Sequence, residues 1–216
     1  MTVDALRHGP FAEAVRRHRL IVVLRRVAPQ PALLDLVAEL ANAGVRVFEI
    51  TFDAASGPAD LEAVRARLAQ RADGPFHVGA GTVLRRHDLE AARRAGADFA
   101  VSPLLDPSLV STAVDEGLPF VPGAFTPTEV AAAWAAGATF VKLFPASAVG
   151  PTFVRELRGP MPEAQLIPTG GIDASNARAF LDAGAAAVGI GSALTKGDAA
   201  TRHAIIEAVS RGDGGS

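Results

Sequence analysis

Apolar and polar positions along this chain switch repeatedly between two periods. Four passages share one design: "NAGVRVFEIT" (42–51), "RAGADFAVSP" (94–103), "AAGATFVKLFP" (135–145) and "DAGAAAVGIGS" (182–192). Each closes an Ala-rich helical pattern with Ala-Gly and then enters an apolar run. Gly44, Gly96, Gly137 and Gly184 suit the left-handed position that stops a helix and turns the chain into a strand. Between these passages lie shorter apolar runs ending in Gly, Pro, Thr or a charge, namely "RLIVVLR" (19–25), "FHVGAGT" (76–82), "PFVPGAFT" (119–126) and "QLIPTGG" (165–171). The pattern therefore predicts eight strands.

Helical patterns follow the strands at roughly 31–43, 59–70, 87–95, 107–116, 127–136, 151–158, 174–183 and 198–210. Strict alternation of strand and helix implies parallel pairing through right-handed crossovers. Eight such units predict an α/β fold, a (β/α)₈ TIM barrel with its active site at the C-terminal ends of the strands. The competing architecture is an open doubly wound sheet, but the first strand lacks a G-x-G-x-x-G turn into a helix. The stretch "DALRHGPFAEAVRRHR" reads as an extra N-terminal helix. Residues 1–18 are thus expected to pack on a catalytic barrel of residues 19–210, with 211–216 as a flexible tail.

At 216 residues and 49% hydrophobic, the chain has the material for one sizeable core. A formal charge of -2 and a pI near 6.2 give no overall electrostatic reason to bind nucleic acid or an anionic membrane. Local anion sites stay open. The chain has no cysteine, which removes disulfides, thiolate metal sites and cysteine nucleophiles. No stretch reads as a secretory signal or a membrane span, so a soluble cytoplasmic protein is expected. His8, His18, His77, His87 and His203 are scattered without ligand spacing, so no metal and no other cofactor is expected.

Lys142 changes the picture, because it stands inside an apolar run beside Val141, Leu143 and Phe144. Burying an unpaired ammonium costs several kcal/mol, about enough to demand a reason. One reason is snorkelling, with the stem in the core and the head in water. The other is nucleophilic catalysis, since desolvation favours the neutral amine. Strand alternation puts Phe140, Lys142 and Phe144 on one face, and Val45, Val47 and Glu49 on one face of the second strand. If both faces point inward, Glu49 and Lys142 meet near the catalytic end, either as a packing ion pair or as a reactive pair. Small residues in "GAGT", "PTGGI" and "GIGS" either serve turns or expose backbone N–H groups to an anion, and after strands seven and eight this barrel commonly binds phosphate.

Taken in order, "LIVVLR", "VRVFEIT", "GAGTV", "FAVSP", "VPGAFTPTE", "FVKLFPAS", "LIPTGGI" and "VGIGSALTKG" resemble the 2-keto-3-deoxy-6-phosphogluconate (KDPG) and 4-hydroxy-2-oxoglutarate (KHG) aldolases over almost the whole chain. The resemblance implies a class I aldolase, a lyase without metal, assembled as a homotrimer and acting on a small-molecule 2-keto acid. It puts Lys142 at the Schiff-base position and Glu49 at the proton-transferring position. It also implies that Thr82, Pro103, Thr126 and Phe144 line the pyruvate site, and that Gly170, Gly171, Gly191 and Ser192 bind phosphate. One departure is visible: where many members carry Arg after the glutamate, in T-L-R-T, this chain reads "TFDA" with Asp53. Arg25, at the end of the first strand, is the cation expected to substitute. A related phosphogalactonate aldolase, a phosphosugar isomerase or epimerase, and a non-catalytic phosphosugar-binding barrel are the alternatives at this stage.

Overall fold

A computed structural model describes residues 2–210; the expected tail at 211–216 lies outside the described residues. The strands are β1 (Leu20–Leu24), β2 (Val47–Thr51), β3 (His77–Gly81), β4 (Ala100–Val101), β5 (Phe120–Val121), β6 (Gly123–Ala124), β7 (Val141–Leu143), β8 (Leu166–Pro168) and β9 (Val188–Ile190). The helices are α1 (Val3–Arg7), α2 (Pro10–His18), α3 (Gln30–Asn42), α4 (Gly57–Ala69), α5 (Arg86–Arg94), α6 (Pro107–Asp115), α7 (Pro127–Ala135), α8 (Gly150–Arg158), α9 (Ala177–Asp182), α10 (Ser192–Thr195) and α11 (Ala199–Ser210). Among the described residues no helix is long and apolar enough to cross a membrane.

Every strand pair is parallel. One ladder runs β5-β4-β3-β2-β1-β9 and a second runs β6-β7-β8. Gly44, Gly96, Gly137 and Gly184 all have positive φ, between 79° and 102°, as the Ala-Gly repeat predicts. That turn returns each helix to the sheet, so the strands all point one way and the result is an α/β fold with a curled parallel sheet.

The expected fifth strand is divided. Pro122 separates β5 from β6, because proline has no N–H to give to a ladder. Its carbonyl still accepts the Lys142 N–H at 2.9 Å. β5 therefore pairs with β4 and β6 with β7. Across the other gap, Thr169 and Gly189 form a parallel bridge, and the Ala186 N–H donates to the Leu166 carbonyl at 2.9 Å.

The N-terminal segment is two helices, not the one the sequence suggests. His8 ends the first and Gly9 caps the second, with Pro10 at its first turn, a place where proline costs no hydrogen bond. Arg7 ties α1 down by donating to the Ala138 and Trp134 carbonyls at 3.0 and 2.7 Å, and its guanidinium lies 3.4 Å over the Trp134 ring.

Alternation along the strands sorts the core into two layers. Leu20, Val22, Leu24, Phe48, Ile50, Val141 and Leu143 pack outward against the helices. Ile21, Val47, Phe99, Val101, Val121, Phe140, Ile167 and Ala187 pack inward, together with Phe11, Ala12 and Val15 of α2. Val45 joins the outer layer, because β2 begins only at Val47 and the expected shared face of Val45, Val47 and Glu49 does not extend below it.

Candidate active site

β7 carries Phe140, Lys142 and Phe144 on its inner side, as alternation requires. Phe140 is fully buried, Lys142 is 5% exposed and Phe144, just past the strand, is 36% exposed. The inner face of this strand thus runs from sealed core to open mouth in four residues' length. β2 places Glu49 one step above Val47, where it is 2% exposed. The Lys142 Nζ and Glu49 Oε1 lie 3.8 Å apart. Each charge has the other as its compensation in a dry surrounding, where a lone charge is too costly to keep.

The space for this pair is made by glycine. A Cβ on Gly81 would collide with the Glu49 carboxyl, so β3 presents bare backbone exactly where the acid stands. Glu49 Oε1 is buried and accepts no hydrogen bond. On the other flank, a Cβ on Gly123 would collide with the Pro103 carbonyl, which lets that loop pack close beside the strand bearing Lys142. The Lys142 ammonium also lies 5.5 Å from the centre of the Phe144 ring.

Lys142 and Phe144 open into a cavity of about 520 Å³ walled also by Arg25, Arg26, Thr169, Gly170, Gly171, Gly191, Ser192 and Lys196. Gly170 packs against Phe144 and Gly171 against Ser147; both glycines have positive φ, so a side chain there would be strained as well as crowded. Arg25 donates to the Thr82 hydroxyl at 3.3 Å and lies 3.6 Å from Asp53. Thr82 has φ 59°, an outlying conformation for a β-branched residue and of the kind that gathers at functional sites.

Of the sequence-expected residues, the cavity wall brings together Lys142, Arg25, Phe144, Gly170, Gly171, Gly191 and Ser192. Glu49 joins through Lys142, and Thr82 through Arg25. Pro103 stands behind Gly123. Thr126 is outside the wall: its hydroxyl accepts the Glu129 N–H at 3.3 Å and donates to the Glu129 carboxylate at 3.0 Å, capping α7. The Phe125 and Thr126 N–H groups and that hydroxyl, in that order, hold the Glu129 carboxyl below the usual range.

Among the wall residues not expected from sequence are Arg26, Thr169 and Lys196. Arg26 has φ 51°, and its guanidinium lies 3.1 Å from the Asp53 carboxylate and donates to the Asp53 carbonyl at 3.1 Å. No side-chain pattern announces a left-handed arginine. Thr169 could have been found, since it lies two residues past the inward Ile167. Lys196 follows α10, a short helix for which "SALTKG" has no apolar period.

An amine and a carboxylate face each other in a curled parallel sheet beside a cationic cavity, an arrangement suited to carbonyl chemistry on an anion. The family description "KDPG and KHG aldolase" matches residues 11–209. The 2-dehydro-3-deoxy-phosphogluconate aldolase of Haemophilus influenzae is 39% identical over 150 residues, 69% of this chain and 68% of that one. The 2-dehydro-3-deoxy-6-phosphogalactonate aldolase of Escherichia coli is 32% identical over 176 residues, 81% of this chain and 83% of that one. The KDPG aldolase of Legionella pneumophila, solved with pyruvate captured as a covalent carbinolamine, superposes with a TM-score of 0.78 at 26% identity, covering 94% of this chain and 97% of that one. The chain belongs to the KDPG and KHG aldolase family and is an aldolase, hence a lyase.

Proposed function

We propose that this enzyme cleaves 2-dehydro-3-deoxy-6-phosphogluconate to pyruvate and glyceraldehyde 3-phosphate through a Schiff base on Lys142, and also splits 4-hydroxy-2-oxoglutarate to pyruvate and glyoxylate. The observation that carries this reading is the buried Lys142–Glu49 pair, 3.8 Å apart, at the floor of a cavity whose wall holds four cations and no carboxylate. Passing a proton from the ammonium to Glu49 frees the amine to attack the substrate C2 ketone. The carbinolamine hydroxyl takes that proton back from Glu49 and leaves as water, and the resulting iminium draws electrons as the Glu49 carboxylate takes the C4 hydroxyl proton and the C3–C4 bond breaks. The aldehyde departs and an enamine remains. Glu49 returns a proton to C3, and hydrolysis of the imine frees pyruvate and Lys142.

In this reading Arg25 and Thr82 hold the substrate carboxylate and Phe144 covers the pyruvyl carbons. Gly170, Gly171, Gly191 and Ser192 receive the phosphate, and Thr126 serves the scaffold as a cap. The two ladders act as one (β/α)₈ barrel, a reading supported by the single residue between β5 and β6 and by the Thr169–Gly189 bridge. The enzyme works in the cytoplasm as a homotrimer; Leu84, Leu104 and Phe125, exposed in the loops after β3, β4 and β6, supply apolar surface for that assembly.

Pyruvate with borohydride should add one reduced pyruvyl group to Lys142, found by intact mass and peptide mapping. Lys142→Arg should abolish the adduct, since a guanidinium stays protonated and cannot form the imine. An adduct mapped to Lys196 would overturn the assignment.

A further inference from the structure

Only two of the 21 basic residues of this chain are lysines, Lys142 and Lys196; all the others are arginine. Both lysines line the same cavity. Four cations stand on its wall, and three of them face a carboxylate: Lys142 faces Glu49, while Arg25 and Arg26 share Asp53. The fourth differs. The Lys196 ammonium has no hydrogen bond or ion pair with any described residue. Asp198, the carboxylate nearest in sequence, accepts the Thr201 N–H at 2.8 Å as the cap of α11 and is held below its usual range by the Thr201 hydroxyl and N–H. Its charge is committed elsewhere.

We infer that Lys196 is a specificity-determining residue, the cation that meets the terminal phosphate of the substrate. The inference rests on the proposed cleavage of a phosphorylated 2-keto acid and adds to it the group that selects for phosphate. Lys196 lines the cavity with Thr195, Ser192 and Gly191, its neighbours along the chain, and Lys142 and Phe144 line it too. Backbone N–H groups orient a phosphate but carry no full charge, and a dianion leaving water needs one. A compact ammonium on a flexible stem supplies it without demanding the planar two-point match of a guanidinium. The three paired cations face two carboxylates and keep one net charge beside Asp53; Lys196 adds a second whole positive charge to the cavity.

The test compares wild type, Lys196→Met and Lys196→Arg. Lys196 is exposed, so Met in its place leaves the core untouched. In Lys196→Met, kcat/KM for the phosphorylated substrate should fall at least ~10-fold, mainly through KM, the scale of one lost charged hydrogen bond. Turnover of 4-hydroxy-2-oxoglutarate and borohydride trapping of pyruvate should be unchanged, and Lys196→Arg should restore most of the loss. Calorimetric binding of glycerol 3-phosphate should weaken by a similar factor in Lys196→Met. An equal loss for both substrates, or unchanged glycerol 3-phosphate affinity, would overturn the inference. Absence of trapping in wild type would instead sink the Schiff-base reading, and the calorimetric comparison would still decide the role of Lys196.

Discussion

Where the strands begin, β7 presents Phe140 to a packed interior in which Phe11 of α2 stacks on Phe99 with ring centres 4.1 Å apart and meets Phe140 edge-on at 6.0 Å. One step along the same strand, Lys142 stands opposite a carboxylate, and one step further the strand opens to a cavity. β3 shows the same change with two glycines. A Cβ on Gly79 would press against the Phe99 ring, and one on Gly81 would strike the Glu49 carboxyl. Bare backbone thus admits a ring at the foot and an acid at the mouth. The foot spends its volume on aromatic contact, and the mouth keeps small residues and charge. One end holds the strands in place so that the other can carry groups that would not hold themselves.

The sharpest way to break this contrast is to empty the foot. Phe11→Ala should cost about 3–5 kcal/mol of stability, read from urea unfolding, because it deletes a buried ring from a filled core. Pyruvate trapping on the folded variant at low temperature should survive. Loss of trapping in protein that is still folded would show that the two ends are not separable. At the mouth the effect should be the reverse. Glu49→Gln should slow carbon–carbon cleavage and exchange of pyruvate methyl protons by at least ~100-fold, the scale of a lost general acid or base. Imine formation on Lys142 should still be detectable by borohydride. Methyl-proton exchange at the wild-type rate would remove Glu49 from proton transfer. The smallest effect should come from Thr126, which stands on the mouth side yet belongs to the scaffold: Thr126→Ala should cost about 1 kcal/mol as a lost cap, with the KM for pyruvate unchanged. A raised KM at unchanged stability would return Thr126 to the substrate site.

What the sequence made legible was periodic. Inward placement of Phe140, Lys142 and Phe144 follows from alternation alone, and the Ala-Gly repeat marks the helix stops that Gly44, Gly96, Gly137 and Gly184 make. Features that depend on a single residue's backbone were hidden. Pro122 splits a ladder whose apolar pattern runs on undisturbed, and the left-handed Arg26 and Thr82 belong to types that seldom adopt that conformation. Two signals were present and outweighed. Gly9-Pro10 is a helix break and a helix start, and Thr126 to Glu129 has the spacing of a capping box. Lys196 had no pattern to carry it, since its meaning lies in what surrounds it in space.

The break at Pro122 divides the proposed reactive pair between two ladders. Glu49 belongs to the ladder of six strands and Lys142 to the ladder of three, so neither ladder contains the reactive pair by itself. The seams between them are themselves hydrogen-bonded, the Phe120 carbonyl accepting the Thr139 N–H and the Leu166 carbonyl accepting the Ala186 N–H, each at 2.9 Å. In the proposed mechanism, cleavage of substrate needs the two side by side, with the Pro122 carbonyl receiving the Lys142 amide. On that mechanism, cleavage activity reports how closely the two ladders are held together, since a shift at either seam moves the acid and the amine apart.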